Sequence, residues 1–363
     1  MGGGPPKETL YILLPQPEPQ DVVSSLRKKF PNVDIVYRET TFQVALSDPL
    51  PEEAWKDVTL LFTFNTIPSH ASFAPRLALI QLASAGSNHI QNSEWYKDTD
   101  VAISTATGIH GPQIAEWVVL TALVQSHKYK TLYELQKKHE WGKRHINDDI
   151  TTVKDKVGRR LGVLGYGSIG RQVGRVAKAL GMDVYAFTAT PKDTPEKRKD
   201  GGFIVPGTGD PDGEIPSKWF SGLDKASLHK FLEQDIDWLV VSVPLTKQTK
   251  HFLSTEEFKK LSRDGKKPAF VTNIARGPII DQPALIEALK DGTLEGAALD
   301  VTDPEPLPAD SELWDLKNAI VTPHVSGNGV SYMERAFGVL EENMRRKERG
   351  EKLLNLVSRD RGY

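Results

Sequence analysis

Three short segments carry side chains suited to acting on a small polar substrate. NIARGPIID holds Arg276, LDVTDPEPLP holds Asp300 and Glu305, and TPHVSG holds His324. Arginine offers a planar fork of donors that grips a carboxylate and polarises a carbonyl beside it. Histidine exchanges a proton near neutral pH. A glutamate hydrogen-bonded to that imidazole favours imidazolium and keeps the second ring nitrogen turned toward substrate. Such a set could hold a carboxylate, polarise a carbonyl and protonate the oxygen on which charge develops. Taken singly, Arg276 reads as a surface ion pair, Glu305 as a helix-start carboxylate and His324 as a turn histidine. Together, each at the end of an apolar run, they read as a site.

Residues 161–170 have the form of a dinucleotide cradle. LGVLGYGSIG ends an apolar run on Gly165, Gly167 and Gly170 in G-x-G-x-x-G spacing, and the next segment sets Val173, Val176, Ala177 and Leu180 on one helical face. One glycine permits the turn, one lets backbone approach a pyrophosphate, and one lets helix and strand pack closely. The free N–H groups and positive end of the helix dipole then face the phosphates. Glycines at this spacing also occur in ordinary turns. Here the motif follows a strand and opens a helix that Gly181 closes before a second strand at 182–187, which is the context dinucleotide binding requires.

The elements that must hold these residues follow an α/β rhythm. Strands are expected at 9–14, 33–37, 58–64, 78–82 and 101–104, with a helix at 22–30. An apolar helix is expected at 112–123, opened by a well-placed proline. Strands at 238–243, 269–273, 296–301 and 319–322 alternate with helices at 227–233, 255–261 and 283–291, which predicts a doubly wound parallel sheet with its ligand crevice at the carboxyl ends of the strands. A final helix at 332–346 runs into LLNLV, a strand-like piece. Residues 128–149 read as a polar stretch in which Trp141 is a surface anchor or a subunit contact. The Gly-, Pro- and Asp-rich segment at about 193–223 reads as an insertion: a lid, a partner-binding loop or a segment without a role.

Composition narrows the class. With 363 residues, two domains are expected. A net charge of -2 gives no footprint for nucleic acid or an anionic membrane. Without cysteine there is no disulfide framework, thiolate metal site or cysteine nucleophile. No metal is expected, since His89 and His110 lack ligand partners at sensible spacing and read as structural. MGGGPPKETL lacks an apolar signal region, and no apolar run is long enough to span a bilayer, so a cytoplasmic protein is expected.

The order and spacing of the four motifs resemble the D-isomer-specific 2-hydroxyacid dehydrogenase family, over residues 81–357. That resemblance implies two Rossmann-like doubly wound α/β domains with an active-site cleft between them. Residues 1–108 and 330–363 would form the substrate domain, and 109–329 the NAD(P)-binding domain. It implies reduction of a small 2-oxo acid of the glyoxylate or hydroxypyruvate type to the D-2-hydroxy acid, with Arg276, Glu305 and His324 as catalytic residues. The cofactor would meet Gly165, Gly167, Ser168, Ile169, Gly170, Thr188, Thr190, Lys192, Val243, Pro244, Thr249, Ile274, Ala275, Asp300, Ser326 and Gly327. Asp300 would lie near the nicotinamide carboxamide, although a structural strand-end aspartate fits the same position. LASAGSNHI resembles the family's substrate loop, whose Ser84, Ala85, Gly86 and Ser87 would join Arg276 in binding substrate through an anion nest, and whose plain reading is a strand-end turn. Family members are typically dimers, which implies a homodimer through the apolar helix near 116–125.

An NAD-specific site usually places a carboxylate at the end of the second strand. Here that place is Thr188, followed by Thr190 and Lys192, with no arginine beside them, and the expectation is NADPH over NADH. A second reading, a dinucleotide-sensing corepressor with weak or no turnover, keeps the same three catalytic-type residues.

Overall fold

The computed structural model describes residues 7–41, 50–141 and 153–359. They gather into two compact units, Met1–Ile109 with Gly201–Phe203 and Val330–Tyr363, and His110–Asp200 with Ile204–Gly329. No helix among the described residues is long and apolar enough to cross a membrane.

The first unit begins with β1 (Glu8–Leu14), α1 (Gln20–Lys29), β2 (Val33–Glu39), α2 (Glu52–Trp55), β3 (Leu60–Thr63), β4 (Leu79–Leu82), α3 (Glu94–Lys97) and β5 (Ala102–Ser104). All the pairings are parallel, in the order β2-β1-β3-β4-β5. β3 and β4 are buried at every position. A parallel strand covered on both faces needs such a run rather than an alternating pattern.

The second unit opens with α4 (Gly111–Ser126), whose Pro112 fits the first turn, and α5 (Tyr129–Lys137). It continues through β6 (Arg160–Leu164), α6 (Ser168–Ala179), β7 (Asp183–Thr188), α7 (Pro195–Arg198), β8 (Lys218–Ser221), α8 (Lys225–Leu232) and β9 (Trp238–Val241). After these come α9 (Thr255–Ser262), β10 (Phe270–Asn273), α10 (Gln282–Lys290), β11 (Gly296–Leu299) and β12 (Ala319–Val321). Seven parallel strands lie in the order β12-β11-β10-β9-β6-β7-β8. The chain winds outward from β6 through β7 to β8, then restarts on the other side of β6 with β9. The β6/β9 junction is therefore the topological switch point, where a doubly wound sheet opens its crevice.

The chain returns to the first unit as α11 (Tyr332–Glu348), which buries Phe337 against Phe62 with ring centroids 5.0 Å apart. Burying a side chain of that size contributes about 1.5–3 kcal/mol. Two sequence expectations change here. The tail LLNLV is not a strand and makes one isolated antiparallel bridge, Ser104 to Leu356. Asn343 accepts from Leu354 N at 2.7 Å, and Asn355 at φ 52° breaks any extended run. The polar stretch after residue 128 begins with α5, whose exposed Tyr129 and Tyr133 stack at 6.2 Å. Trp141 is exposed, and the rest of that stretch to residue 149 lies outside the described residues.

Candidate active site and dinucleotide cradle

The three glycines of the motif behave differently. Gly165 has φ 103°, and a Cβ there would lie 2.7 Å from the Ser242 carbonyl, so only glycine lets the ends of β6 and β9 come this close. Ser242 Oγ donates to the Gly165 carbonyl at 2.7 Å. At Gly170 a Cβ would meet the Gly165 carbonyl oxygen at 2.4 Å, which forces α6 tight against β6. Gly167, the residue before α6, faces open space, with nothing within 4 Å of a Cβ. The first N–H groups of α6, those of Ser168 and Ile169, follow it without an acidic residue in the first turn to compete for them. A concave turn with an open glycine at a helix N-terminus fits a pyrophosphate.

At the far end of the crevice, Arg276 follows β10 and is exposed. Buried Asn273 shapes its turn, donating to the Arg276 carbonyl at 3.1 Å and accepting from Ala275 N at 3.1 Å. Arg276 Nη1 donates to its neighbour's carbonyl, that of Ala275, at 2.6 Å. The next residue, Gly277, is packed so closely that a Cβ would lie 1.8 Å from the Thr302 carbonyl oxygen. The arginine turn therefore rests directly on the segment that leads to Glu305. That segment is pinned again by Asp303 N donating to Gln282 Oε1 at 3.1 Å.

His324 and Glu305 meet, with Nδ1 2.6 Å from Oε1 and both side chains partly exposed. A carboxylate only accepts, so Nδ1 carries the proton and Nε2 is the nitrogen left to act on a substrate. The ring is held by unusual backbone: His324 has φ 55°, a region that costs a non-glycine residue on the order of 1 kcal/mol or more. Asp300 holds the turn in place. Its buried carboxylate accepts from Thr322 Oγ1, Val325 N, Ser326 N and Ser326 Oγ, while His324 N donates to the Asp300 carbonyl at 2.9 Å. Both Asp300 oxygens are thereby engaged, which makes it the brace of the histidine loop.

The remaining expected cofactor residues border the strand ends. Val243 and Pro244 follow β9, and buried Thr249 closes their loop by donating to the Pro244 carbonyl at 2.7 Å. Ile274 and Ala275 follow β10 and are buried, and Gly327 accepts from Gln113 Nε2 at 3.0 Å. Thr188 closes β7 with Oγ1 donating to the Thr190 carbonyl at 2.8 Å. In the first unit, Ser84 to Ser87 follow β4. Ser84 Oγ donates to the Gly86 carbonyl at 2.8 Å, Ala85 is exposed, and Ser87 is buried. His89 donates through Nε2 to the Phe64 carbonyl at 2.6 Å, and desolvation lowers its pKa.

Sequence reasoning overlooked the supports. Asn273 opens the NIARGPIID segment, and Gln282 and Ser242 stand beside the motifs, but none of the three carries a signal of its supporting role. Residues 193–223, which read as an insertion, contain α7 and the edge strand β8. Among the described residues one group has metal-ligand geometry, His229 with Glu256 and Glu257, and Lys225 Nζ already sits 2.8 Å from Glu257 there.

Comparison with known proteins agrees with this architecture. Residues 119–204 and 212–326 match the family model described as D-isomer specific 2-hydroxyacid dehydrogenase, NAD binding domain. A glyoxylate/hydroxypyruvate reductase B of Erwinia tasmaniensis is 30% identical over 278 residues, 74% of each chain. A D-isomer specific 2-hydroxyacid dehydrogenase from Xanthobacter autotrophicus, solved with NADPH, superposes with a TM-score of 0.74 at 26% identity, covering 98% of this chain and all of that one. An NADPH-dependent glyoxylate/hydroxypyruvate reductase from Sinorhizobium meliloti, solved with NADP and sulfate, gives 0.70 at 25% identity over 98% and 100%. These relatives are named as reductases and dehydrogenases, which lends no support to the corepressor reading. The chain belongs to the D-isomer-specific 2-hydroxyacid dehydrogenase family and is an NAD(P)-dependent oxidoreductase.

Proposed function

We propose that this protein reduces a small 2-oxo acid, glyoxylate or hydroxypyruvate, to the D-2-hydroxy acid with NADPH as the preferred donor. The observation that carries the reading is the 2.6 Å pair of His324 Nδ1 and Glu305, set at the carboxyl ends of the same sheet that presents Arg276 and the open glycine turn. A bound nicotinamide would supply the hydride. Gly167 and the first turn of α6 would hold its pyrophosphate. Arg276 grips the substrate carboxylate and polarises the 2-oxo group, helped by the backbone of residues 84–87. His324 delivers a proton from Nε2 to the oxygen as charge develops there, and Glu305 keeps the ring oriented and stabilises its charged form. The substrate class rests on the relatives named above. The preference for NADPH rests on the absence of a carboxylate at Thr188, with Thr190 and Lys192 following it.

Residues 1–108 and 330–363 are assigned to substrate binding and 109–329 to the cofactor. A homodimer in the cytoplasm completes the reading. Its contact is assigned to α4 and α5, where Leu120, Tyr129, Leu132 and Tyr133 are all exposed. The test is a nicotinamide absorbance assay with both cofactors against glyoxylate, hydroxypyruvate, phenylpyruvate and branched 2-oxo acids. The two small acids with NADPH should give the highest kcat/KM, and a clear advantage for NADH or for the bulky acids would overturn the assignment.

A further inference from the structure

The segment between β7 and β8 contributes to both units. Its flanks are fixed in the second, where buried Asp210 accepts from Tyr166 Oη at 2.9 Å and buried Arg171, on α6, donates to the carbonyls of Asp210 and Arg198. Gly213 lets the flanks close on each other: it has φ 70°, and a Cβ there would lie 2.6 Å from the Cβ and carbonyl oxygen of Arg198. Between the flanks the chain enters the first unit for three residues, Gly201–Phe203, and leaves it at Ile204. The Phe203 ring packs on the apolar core of that unit, where a Cβ on Gly338 of α11 would touch it at 3.9 Å. At Gly108, φ 102° and a Cβ position 2.0 Å from the Phe203 carbonyl oxygen leave room for glycine alone.

A chain of hydrogen bonds leads from Phe203 to the loop after β4. Phe203 N donates to Asn355 Oδ1 at 3.3 Å, and Asn355 Nδ2 donates to the carbonyls of Thr105 and Thr107 at 3.0 and 2.7 Å. Asn355 sits at φ 52°, a conformation that asparagine adopts more readily than most residues. Ala106 and Thr107 in turn hold two carbonyls of the loop: Ala106 N donates to that of Ser84 at 2.8 Å, and Thr107 Oγ1 to that of Ala85 at 3.1 Å. The peptides after Ser84 and Ala85 are trans, and a planar trans peptide directs its N–H opposite to its C=O. Holding these carbonyls toward Ala106 and Thr107 therefore turns the N–H groups of Ala85 and Gly86 to the other side. Neither N–H has an acceptor among the described residues.

We infer that Phe203, Asn355 and Thr107 are positioning residues for the substrate, through which the inserted segment holds the loop of residues 84–87 ready for a carboxylate. Successive N–H groups turned to one side make an anion-binding concavity, and fixing them beforehand spares the substrate the cost of ordering them. The inference rests on the substrate-loop reading above and adds the part of the chain that sets the loop's geometry. It gives the segment a role toward substrate, although its place in the chain lies within the cofactor-binding sheet.

Steady-state kinetics with glyoxylate, on wild type, Thr107→Val, Thr107→Ser, Phe203→Ala and the double variant Thr107→Val/Phe203→Ala, test it, with NADPH dissociation constants from calorimetry. Thr107→Val should raise KM about three- to ten-fold, the loss of one hydrogen bond, and leave kcat and NADPH affinity within about two-fold. Thr107→Ser keeps the hydroxyl and should restore KM. Phe203→Ala should raise the same KM, and the double variant should do little more than the larger single change, since both act along one chain of bonds. Effects that multiply, or variants that all keep the wild-type KM, overturn the inference. Gly86→Pro removes an N–H from the loop itself. A wild-type KM in Gly86→Pro overturns the substrate-loop reading, whereas a raised KM there with an unchanged Thr107→Val overturns the positioning role alone. Wild type that turns over no 2-oxo acid overturns the reduction reading. Thermal midpoints establish that the variants fold, and Phe203→Leu takes the place of Phe203→Ala in the same cycle if the latter does not.

Discussion

Single residues do separable work in this site. Glu305 meets the imidazole through its carboxylate, so Glu305→Gln should leave substrate and cofactor binding near wild type while lowering kcat by about 10² or more, because an amide no longer stabilises the charged ring. Steady-state kinetics separate that result from a rise in KM, which would mean a binding role instead. The glycines make a second contrast. Gly167 faces open space and Gly170 faces the Gly165 carbonyl oxygen at 2.4 Å. Gly167→Val should therefore keep the thermal midpoint of the cofactor-free protein and lose dinucleotide affinity. Gly170→Val should lower the midpoint itself, since α6 has to move off β6. Calorimetric titration together with thermal melts distinguishes the two, and equal loss of stability in both would contradict the division of roles.

Among the elements, the junction of α8 and α9 shows how polar groups fix helices at the back of the sheet. Glu257 closes a capping box with Ser254 and is buried to 2% exposure, with His229 Nε2 and Lys225 Nζ each 2.8 Å away. Burial opposes its ionisation, but the bonds from His229 and Lys225 outweigh it and hold the carboxyl below 4.5. A depressed carboxylate adds stability above its unfolded value, and that stability is lost as pH falls through the folded one. Glu257→Gln should thus cost on the order of 2 kcal/mol at pH 7, and the gap to wild type should close below about pH 4.5. Denaturant midpoints measured from pH 7 down to pH 3 check this, and a gap that stays constant would mean the charge is not involved.

Elements were legible in the sequence where the physics is local. The apolar runs of β9, β10 and β11 and the proline of α4 announce themselves, because parallel strands buried on both faces need uninterrupted apolar residues. The order β6, glycine turn, α6, β7 was equally plain. β8 was not, since KWFS is a four-residue edge strand buried only in part. The order within residues 192–217 comes from Asp210, Arg171 and Gly213, whose partners lie up to 44 residues away, so no local pattern marks it. In the site, Arg276, Glu305 and His324 could be named from their motifs, whereas the brace of Asp300 on the histidine loop depends on a turn that only coordinates reveal.

For the molecule as a whole, α4 and α5 leave apolar surface uncovered on one side of the cofactor-binding sheet, with Leu120 59% and Tyr129 54% exposed. A second copy covering it would make a dimer. Sedimentation of wild type should give twice the chain mass, and Leu120→Glu should shift it to the monomer without loss of fold. A wild type that sediments as a monomer at micromolar concentration would exclude this contact. The proposed chemistry requires the imidazole of His324 to act as the acid. The most direct measurement is NADPH oxidation with glyoxylate by wild type and His324→Ala, with NADPH affinity recorded on the same preparations. A fall in kcat of about 10²–10⁴ with affinity intact is the expected result. Undiminished turnover by His324→Ala, or a wild type inert toward every 2-oxo acid offered, would contradict it.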